Sequence, residues 1–566
     1  MGGIANPPRA PAMSYLVTEH RLIRFARLLA LVLLPVLGGL QAWALADRQG
    51  QAHWWVQIAA MAGFFLFLDG SRSLRQAAWR SWWFATSWLA GVFWWLFISM
   101  HTYGGLPAPL AAGGVLALAG ALALYYVLAG MLYWQLRVRS FLASALLFAG
   151  CWTLAELARG QLLTGFPWGA VGYAQIDGPL AWLARYVGVY GVGASAAVFA
   201  ALAAFALMGV LGYILGRFIS VSRLPISLPR MLSAFAWLAL LGAAGHFGHQ
   251  WQLRQFARVD AALQQRPAVS LALLQGNIPI AEKFDMQTGV MESLQWYGGQ
   301  FVDSRADLVI APETAIPVLK EMLPIGYYAV VTAPFLADDA GGGRAMLTGI
   351  PLGNPIDGYT NSVEGFQPGA PVYTYSKHHL VPFGEFVPPM FQWFNDMMDI
   401  PLDDFSRGAA VQAPFEWKGE RFAPNICYED LFGEELALRF ADAAQAPTVL
   451  VNFSNIGWFG NGAAVDQHLH ISRMRTLELE RPMVRATNTG ATAIIDHRGQ
   501  VQALAPRATR TVLHGEVRGI GQDGAAASIT PFARWAGRFG LWPAWLAALA
   551  VVIASGALWR RLPPMR

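Results

Sequence analysis

Apolar residues follow two regimes along this chain. Up to about residue 247, and again near the end, they form long unbroken runs; between those regions they occur in short runs alternating with polar stretches. The long runs lie near 28–46, 54–68, 82–100, 107–133, 141–158, 186–216, 231–247 and 541–559. Each approaches the ~20 residues a helix needs to cross a bilayer, the second falling short, so about eight spans are expected. Between 268 and 520 the pattern predicts strands at Val269–Leu274, Asp307–Ile310, Ala329–Thr332, Met346–Ile350, Tyr359–Phe366, Val372–Ser376, Phe422–Ile426, Thr448–Phe453 and Ala491–Ile495. Helices are expected near 285–302, 431–442 and 463–480. Strands alternating with helices make α/β layers. The expected division is a cytoplasmic tail (1–20), a membrane domain with spans one to seven (21–247), an external domain (248–540), and a last span with a cytoplasmic tail (541–566).

Composition agrees with that division. With 55% hydrophobic residues, 13% charged residues and 23 Trp in 566, the chain does not suit a single soluble globule. The net charge of +5 is modest, and the arginines stand beside apolar runs, which argues for membrane orientation and against nucleic acid. Arg72, Arg75 and Arg80 follow the second run, Arg137 and Arg139 the fourth, Arg217, Arg223 and Arg230 the sixth; Arg560, Arg561 and Arg566 close the chain. Loops such as His101–Gly105 carry no Lys or Arg. Positive-inside counting puts both termini in the cytoplasm and 248–540 outside, the periplasm of a Gram-negative cell. Arg21, Arg24 and Arg27 precede the first run, and Ala44-Leu-Ala46 mimics a signal cleavage site. That run exceeds the ~7–15 apolar residues of a signal peptide, so a retained span is expected. In the loop Arg159–Gln175, the turn Gly165-Phe-Pro-Trp168 reads as an aromatic anchor at the membrane interface. Glu156 and Arg159 read either as a functional intramembrane site or as a structural pair.

Candidate chemistry lies in the external part. Of the two cysteines, Cys151 is in an apolar run and Cys427 in the polar domain, so no disulfide is expected. Cys427 ends the strand in Arg421-Phe-Ala-Pro-Asn-Ile-Cys-Tyr-Glu-Asp430, at an elbow before a helix. There a thiol can meet substrate while the next N–H groups point toward it, although a lone cysteine is more often an inert core residue. Ala311-Pro-Glu-Thr-Ala-Ile-Pro317 places Glu313 just beyond a strand, and Tyr375-Ser-Lys-His-His-Leu-Val-Pro-Phe-Gly-Glu-Phe-Val-Pro388 supplies Lys377 and Glu385. His468 and His470 stand two apart on a helix, and His378 and His379 are adjacent, so neither pair converges on a metal. No phosphate or dinucleotide loop occurs, and neither a metal nor another cofactor is expected.

A Glu, a Lys and a Cys in that order, each at a strand end, resemble the nitrilase superfamily. The wording around them is similar to its membrane branch, the apolipoprotein N-acyltransferases. The resemblance implies an αββα sandwich beside the helical membrane domain, with Cys427 as nucleophile, Glu313 as base and Lys377 as oxyanion stabiliser. It implies supporting roles for Glu385, Tyr428 and Glu429, and a substrate pocket containing Phe284 and Trp458. It also implies a phospholipid acyl donor and a diacylated apolipoprotein acceptor in the inner membrane. A membrane-tethered amidase using water as acceptor is the alternative. Two departures concern the pocket: Ile456 stands where the family has Asp, and Phe284 where it has Trp. Finally, Phe386–Pro401, with Trp393 and Phe394, is too apolar for a solvated loop and too rich in Pro and Asp for a span. It is expected to form an arm that dips into the bilayer over the active site, with Trp393 and Phe394 in the substrate pocket; a loop folded back onto the domain core is the alternative.

Overall fold

The computed structural model describes residues 12–138, 140–218, 228–337, 342–387, 405–521 and 528–561. The expected arm, with Trp393 and Phe394, lies outside the described residues.

The N-terminal part is helical: α1 (Ala12–Trp43), α2 (Trp54–Asp69), α3 (Leu74–Val92), α4 (Ala108–Leu136), α5 (Phe141–Gln161), α6 (Ala184–Phe218) and α7 (Leu228–Leu263). All the long apolar runs fall on helices, but their capacity to span differs. Among the described residues, four helical stretches are long and apolar enough: Ala108–Leu136, Phe141–Thr164, Ala181–Ile214 and Met231–Leu263. Up to six qualify if two bent pairs each count as one span: Leu74–Val92 with Leu96–Tyr103, bent by 63°, and Pro531–Phe539 with Trp542–Ala557, bent by 95°. Leu28–Trp43 and Trp54–Asp69 are apolar but shorter. At 1.5 Å per residue the 16 residues of α2 reach about 24 Å, less than a ~30 Å hydrocarbon core. Against the expected eight spans, the described residues give four to six by length and composition.

The C-terminal part is a sandwich of two six-stranded sheets. Its strands are β1 (Val269–Gln275), β2 (Leu308–Ile310), β3 (Ala345–Asn354), β4 (Gly358–Phe366), β5 (Tyr373–Ser376), β6 (Phe415–Trp417), β7 (Glu420–Ile426), β8 (Val449–Ser454), β9 (Met483–Thr487), β10 (Ala493–Ile495), β11 (Val501–Leu504) and β12 (Thr511–Val517). One sheet has the order β12-β1-β2-β3-β4-β5 and the other β11-β10-β9-β8-β7-β6. β1, β2 and β3 pair in parallel, as do β7, β8 and β9. Period-two alternation sends Leu271, Leu273, Ile310 and Leu347 toward Phe422, Ile426, Val451, Phe453 and Val484 between the sheets. After the short α8 (Ile280–Lys283), the intervening Ala272, Leu274 and Val309 face the helices α9 (Gly289–Asp303) and α10 (Tyr327–Leu336), where Tyr297, Phe301, Val331 and Phe335 cover them. Both faces are buried, which is why these strands read as nearly continuous apolar runs. The second outer layer contains α11 (Ala463–Leu479).

Three expectations change. Ala329–Thr332 is not a strand but part of α10. Its apolar run, Tyr-Tyr-Ala-Val-Val-Thr-Ala-Pro-Phe-Leu, is helix-length, and four residues of it carry no period that separates strand from helix. The expected helix 431–442 is three short turns, Cys427–Leu431, Gly433–Ala437 and Leu438–Phe440, interrupted at Phe432 (φ −105°, ψ 77°). β9 had no sequence signal because Arg485 breaks its apolar pattern; that arginine is buried against Asp430 at 3.1 Å.

Polar anchors join the two parts where the membrane helices end. The Gly165–Trp168 turn is not a belt facing lipid. Trp168 is buried, and its Nε1 donates to Gln467 Oε1 of α11 (2.7 Å), which also accepts from Trp95 Nε1 (3.1 Å). Glu156 and Arg159 make no direct ion pair. Glu156 Oε1 accepts from Val171 N (2.9 Å), and Arg159 Nη1 donates to the carbonyls of Phe166 (2.6 Å) and Trp168 (2.7 Å). A buried turn needs partners for its backbone groups, and these two side chains supply them. At the kink in α6, where Gly188 has φ 64°, the freed Val189 N donates to Glu478 Oε1 (2.7 Å).

Candidate active site

Cys427 follows β7 directly and has φ 51°, a left-handed conformation that costs a non-glycine residue about 1–2 kcal/mol. The turn is held by its neighbours. Glu429 Oε2 accepts from Ile426 N (2.6 Å), while Glu429 Oε1 accepts from His378 N (2.7 Å) and its carboxylate from Tyr375 OH (2.8 and 2.9 Å). Glu429 therefore locks the cysteine elbow to the strand end that carries Lys377. Tyr428 points the other way: its OH donates to Gly165 O (2.9 Å) and ties the elbow to the membrane-proximal turn. His379 makes a parallel tie through Nε2 to Thr164 O (3.1 Å).

Lys377 and Glu313 also stand just beyond the ends of strands, β5 and β2. Lys377 is 1% exposed; its Nζ lies 2.9 Å from Glu385 and 3.6 Å from Glu313 Oε1. Asn361 Nδ2, on β4, donates to both Glu313 Oε1 and Glu385 Oε1, each at 2.8 Å. Asn455 N donates to Glu313 Oε2 (2.9 Å), and Val381 N to Glu385 Oε2 (2.8 Å). Burial opposes the charge on Lys377, but Glu385, Glu313 and Cys427 outweigh it, and the amine is raised above its ordinary range. It stays a cation. Cys427 is a half-buried residue, and its sulfur is the acceptor of Ser454 Oγ at 3.5 Å. Burial, then the negative charge of Glu313, push the thiol up to about 12, against the pull of Lys377. The carboxylate and the cation whose charges act on the thiol are Glu313 and Lys377.

The pocket residues take their places less closely. Phe284 is half exposed beside Lys283, and Trp458 is partly exposed, edge-on to Tyr103 at 5.6 Å. Ile456 is buried against Gly490. Four polar neighbours escaped sequence reading: Asn361, Asn455, Ser454 and Lys283. The signal for Asn361 was a strand-averse side chain inside β4. For Lys283 there was none, because a lysine before a turn ordinarily reads as solvated.

Lys283 is fully buried, and its Nζ donates to Glu313 O (3.1 Å). Burial pushes its amine down to about 7, with Glu313 opposing. The unfolded chain binds this proton below about 10.4 and the folded one only below about 7, so stability falls as pH drops from 10.4 to 7. Lys283→Met therefore melts at a higher temperature than the parent in detergent at pH 7. The gap closes near pH 10.5; a lower melting temperature at pH 7 would contradict the assignment.

Residues 37–202 match the family model described as apolipoprotein N-acyltransferase N-terminal domain, and residues 270–520 match carbon-nitrogen hydrolase. The chain is 52% identical over 519 residues to an apolipoprotein N-acyltransferase of Verminephrobacter eiseniae, covering 89% of this chain and 92% of that one. It is 41% identical over 543 residues to the Ralstonia nicotianae enzyme of the same name, covering 95% and 94%. The chain belongs to the apolipoprotein N-acyltransferase family. The two family matches divide much as the fold does. The first runs from the end of α1 to the middle of α6, and the second from β1 to just beyond β12, so the nitrilase-like sandwich is the family's carbon-nitrogen hydrolase domain. No group of three or more His, Cys, Asp or Glu among the described residues could hold a metal ion.

Proposed function

We propose that this protein is an apolipoprotein N-acyltransferase of the inner membrane, working by a ping-pong route through a Cys427 thioester. The observation that carries the reading is the cysteine on a left-handed elbow, within electrostatic reach of a buried Lys377 cation and of a Glu313 carboxylate whose oxygens are held by Asn361 and Asn455. Glu313 takes the thiol proton as sulfur attacks the ester carbonyl of a phospholipid. The oxyanion forms against Lys377 Nζ and the N–H of Tyr428. The C–O bond breaks, Glu313 returns its proton to the leaving alkoxide, and a lysophospholipid departs. The α-amine of a diacylglyceryl-cysteine then attacks the thioester. Glu313 takes a proton from the amine and passes it to the sulfur as the C–S bond breaks. If the amine arrives as an ammonium ion, its extra proton goes to water.

The loop arginines favour an orientation with the domain 248–540 in the periplasm, where exported lipoproteins emerge, and with both substrates held by the bilayer. Apolar helices beside the catalytic domain suit two lipid substrates better than a soluble amide. The test is to incubate the purified protein with acyl-labelled phospholipid and a diacylated lipopeptide. Labelled triacylated lipopeptide is expected. Free labelled fatty acid, with the lipopeptide unchanged, would move the reading to a hydrolase.

A further inference from the structure

His468 is 1% exposed, on α11, directly behind the cysteine elbow. Its Nε2 lies 3.2 Å from Cys427 O, and its Nδ1 lies 3.1 Å from Arg485 Nη2. A guanidinium can only donate, so Nδ1 accepts and the ring's one proton sits on Nε2. That proton is donated to the Cys427 carbonyl. Arg485 is itself held by Asp430 (3.1 Å), whose carboxylate also accepts from Ser472 Oγ, and Trp168 stacks over the imidazole at 5.7 Å. Burial and the Arg485 charge both hold the ring well below its ordinary titration range, which keeps it neutral.

The carbonyl of Cys427 and the N–H of Tyr428 belong to one planar trans peptide, in which C=O and N–H point in opposite directions. Fixing the carbonyl on one side therefore aims the N–H on the other. We infer that His468 is the positioning residue for the oxyanion hole: by holding Cys427 O toward α11 it turns the Tyr428 N–H toward the acyl carbonyl bound at the sulfur. The inference rests on the thioester route proposed above. The strap adds to the backbone bonds of the Cys427–Leu431 turn, at a residue whose left-handed conformation is unfavourable and whose own side chain does not hold the plane.

The test separates an oxyanion effect from general damage. Thioester formation passes through an oxyanion, whereas alkylation of Cys427 by iodoacetamide does not. His468→Leu and His468→Asn both remove the donor at the Nε2 position, and Asn still offers a polar group to Arg485. Both variants are expected to lose on the order of 10²-fold in the first-order rate of thioester formation at saturating phospholipid, with KM and the alkylation rate changed by no more than about threefold. His468→Gln, whose amide nitrogen reaches the Nε2 position, recovers most of the rate. Thioester formation within about threefold of the parent in both Leu and Asn variants would overturn the inference, as would alkylation falling in step with acylation, or no recovery with Gln. If Leu does not fold, Asn carries the same comparison. A parent protein that forms no thioester would instead remove the function proposed above.

Discussion

Glu313→Gln is expected to slow thioester formation by about 10³-fold or more at pH 7, and to make the residual rate climb nearly tenfold per pH unit. The argument begins with the thiol, which burial and the Glu313 charge push up to about 12. At pH 7 only about one molecule in 10⁵ would carry a thiolate without help. Glu313 removes the need for that population by taking the proton as sulfur attacks. Glutamine has nearly the same shape but cannot accept the proton, so the variant depends on the pre-formed thiolate, whose fraction rises with pH until the thiol's own pKa. Losing the carboxylate charge lowers that pKa somewhat without changing the slope below it. Glutamine also presents an N–H where both oxygens now accept, from Asn361 and from Asn455. Pre-steady-state acyl labelling across pH 7 to 10 gives the result. A variant whose rate is flat with pH, or within about tenfold of the parent at pH 7, would exclude Glu313 as the base.

Cys427→Ala is expected to abolish both the acyl-enzyme and transfer, by on the order of 10⁵-fold or more. The fold should tolerate the change. Alanine keeps the Cβ, so the backbone cost at φ 51° is the same, and the hydrogen bond from Ser454, 3.5 Å from the sulfur, goes to a weak acceptor. Intact-mass measurement after incubation with phospholipid would show the parent heavier by one acyl group and the variant unchanged. Acyl label retained on Cys427→Ala would mean that another residue is the nucleophile.

The membrane helices and the sandwich strands were legible because their signals are local. A run of about 20 apolar residues has one economical solution in a bilayer, and period-two alternation commits a strand to its two faces. Glu313, Lys377 and Cys427 could be picked out as candidates because each sits in a distinctive phrase at a strand end. What was illegible depends on partners far away in sequence. Arg485 hid β9 because its charge is unremarkable until Asp430, 55 residues earlier, is brought beside it. Trp168 looked like a membrane anchor because its partner Gln467 lies 299 residues away.

By itself, the sequence determined the two-part architecture, the α/β class of the second part and the three residue types at its strand ends. Tertiary structure alone decided how those residues act on one another. It put Lys377 between two carboxylates, left Glu313 held by two donors, bent two of the apolar helices, and set His468 behind the Cys427 peptide. Short-range pattern records which way a side chain faces; it carries no record of what the fold will place opposite. In a buried site that opposing partner sets both charge and direction.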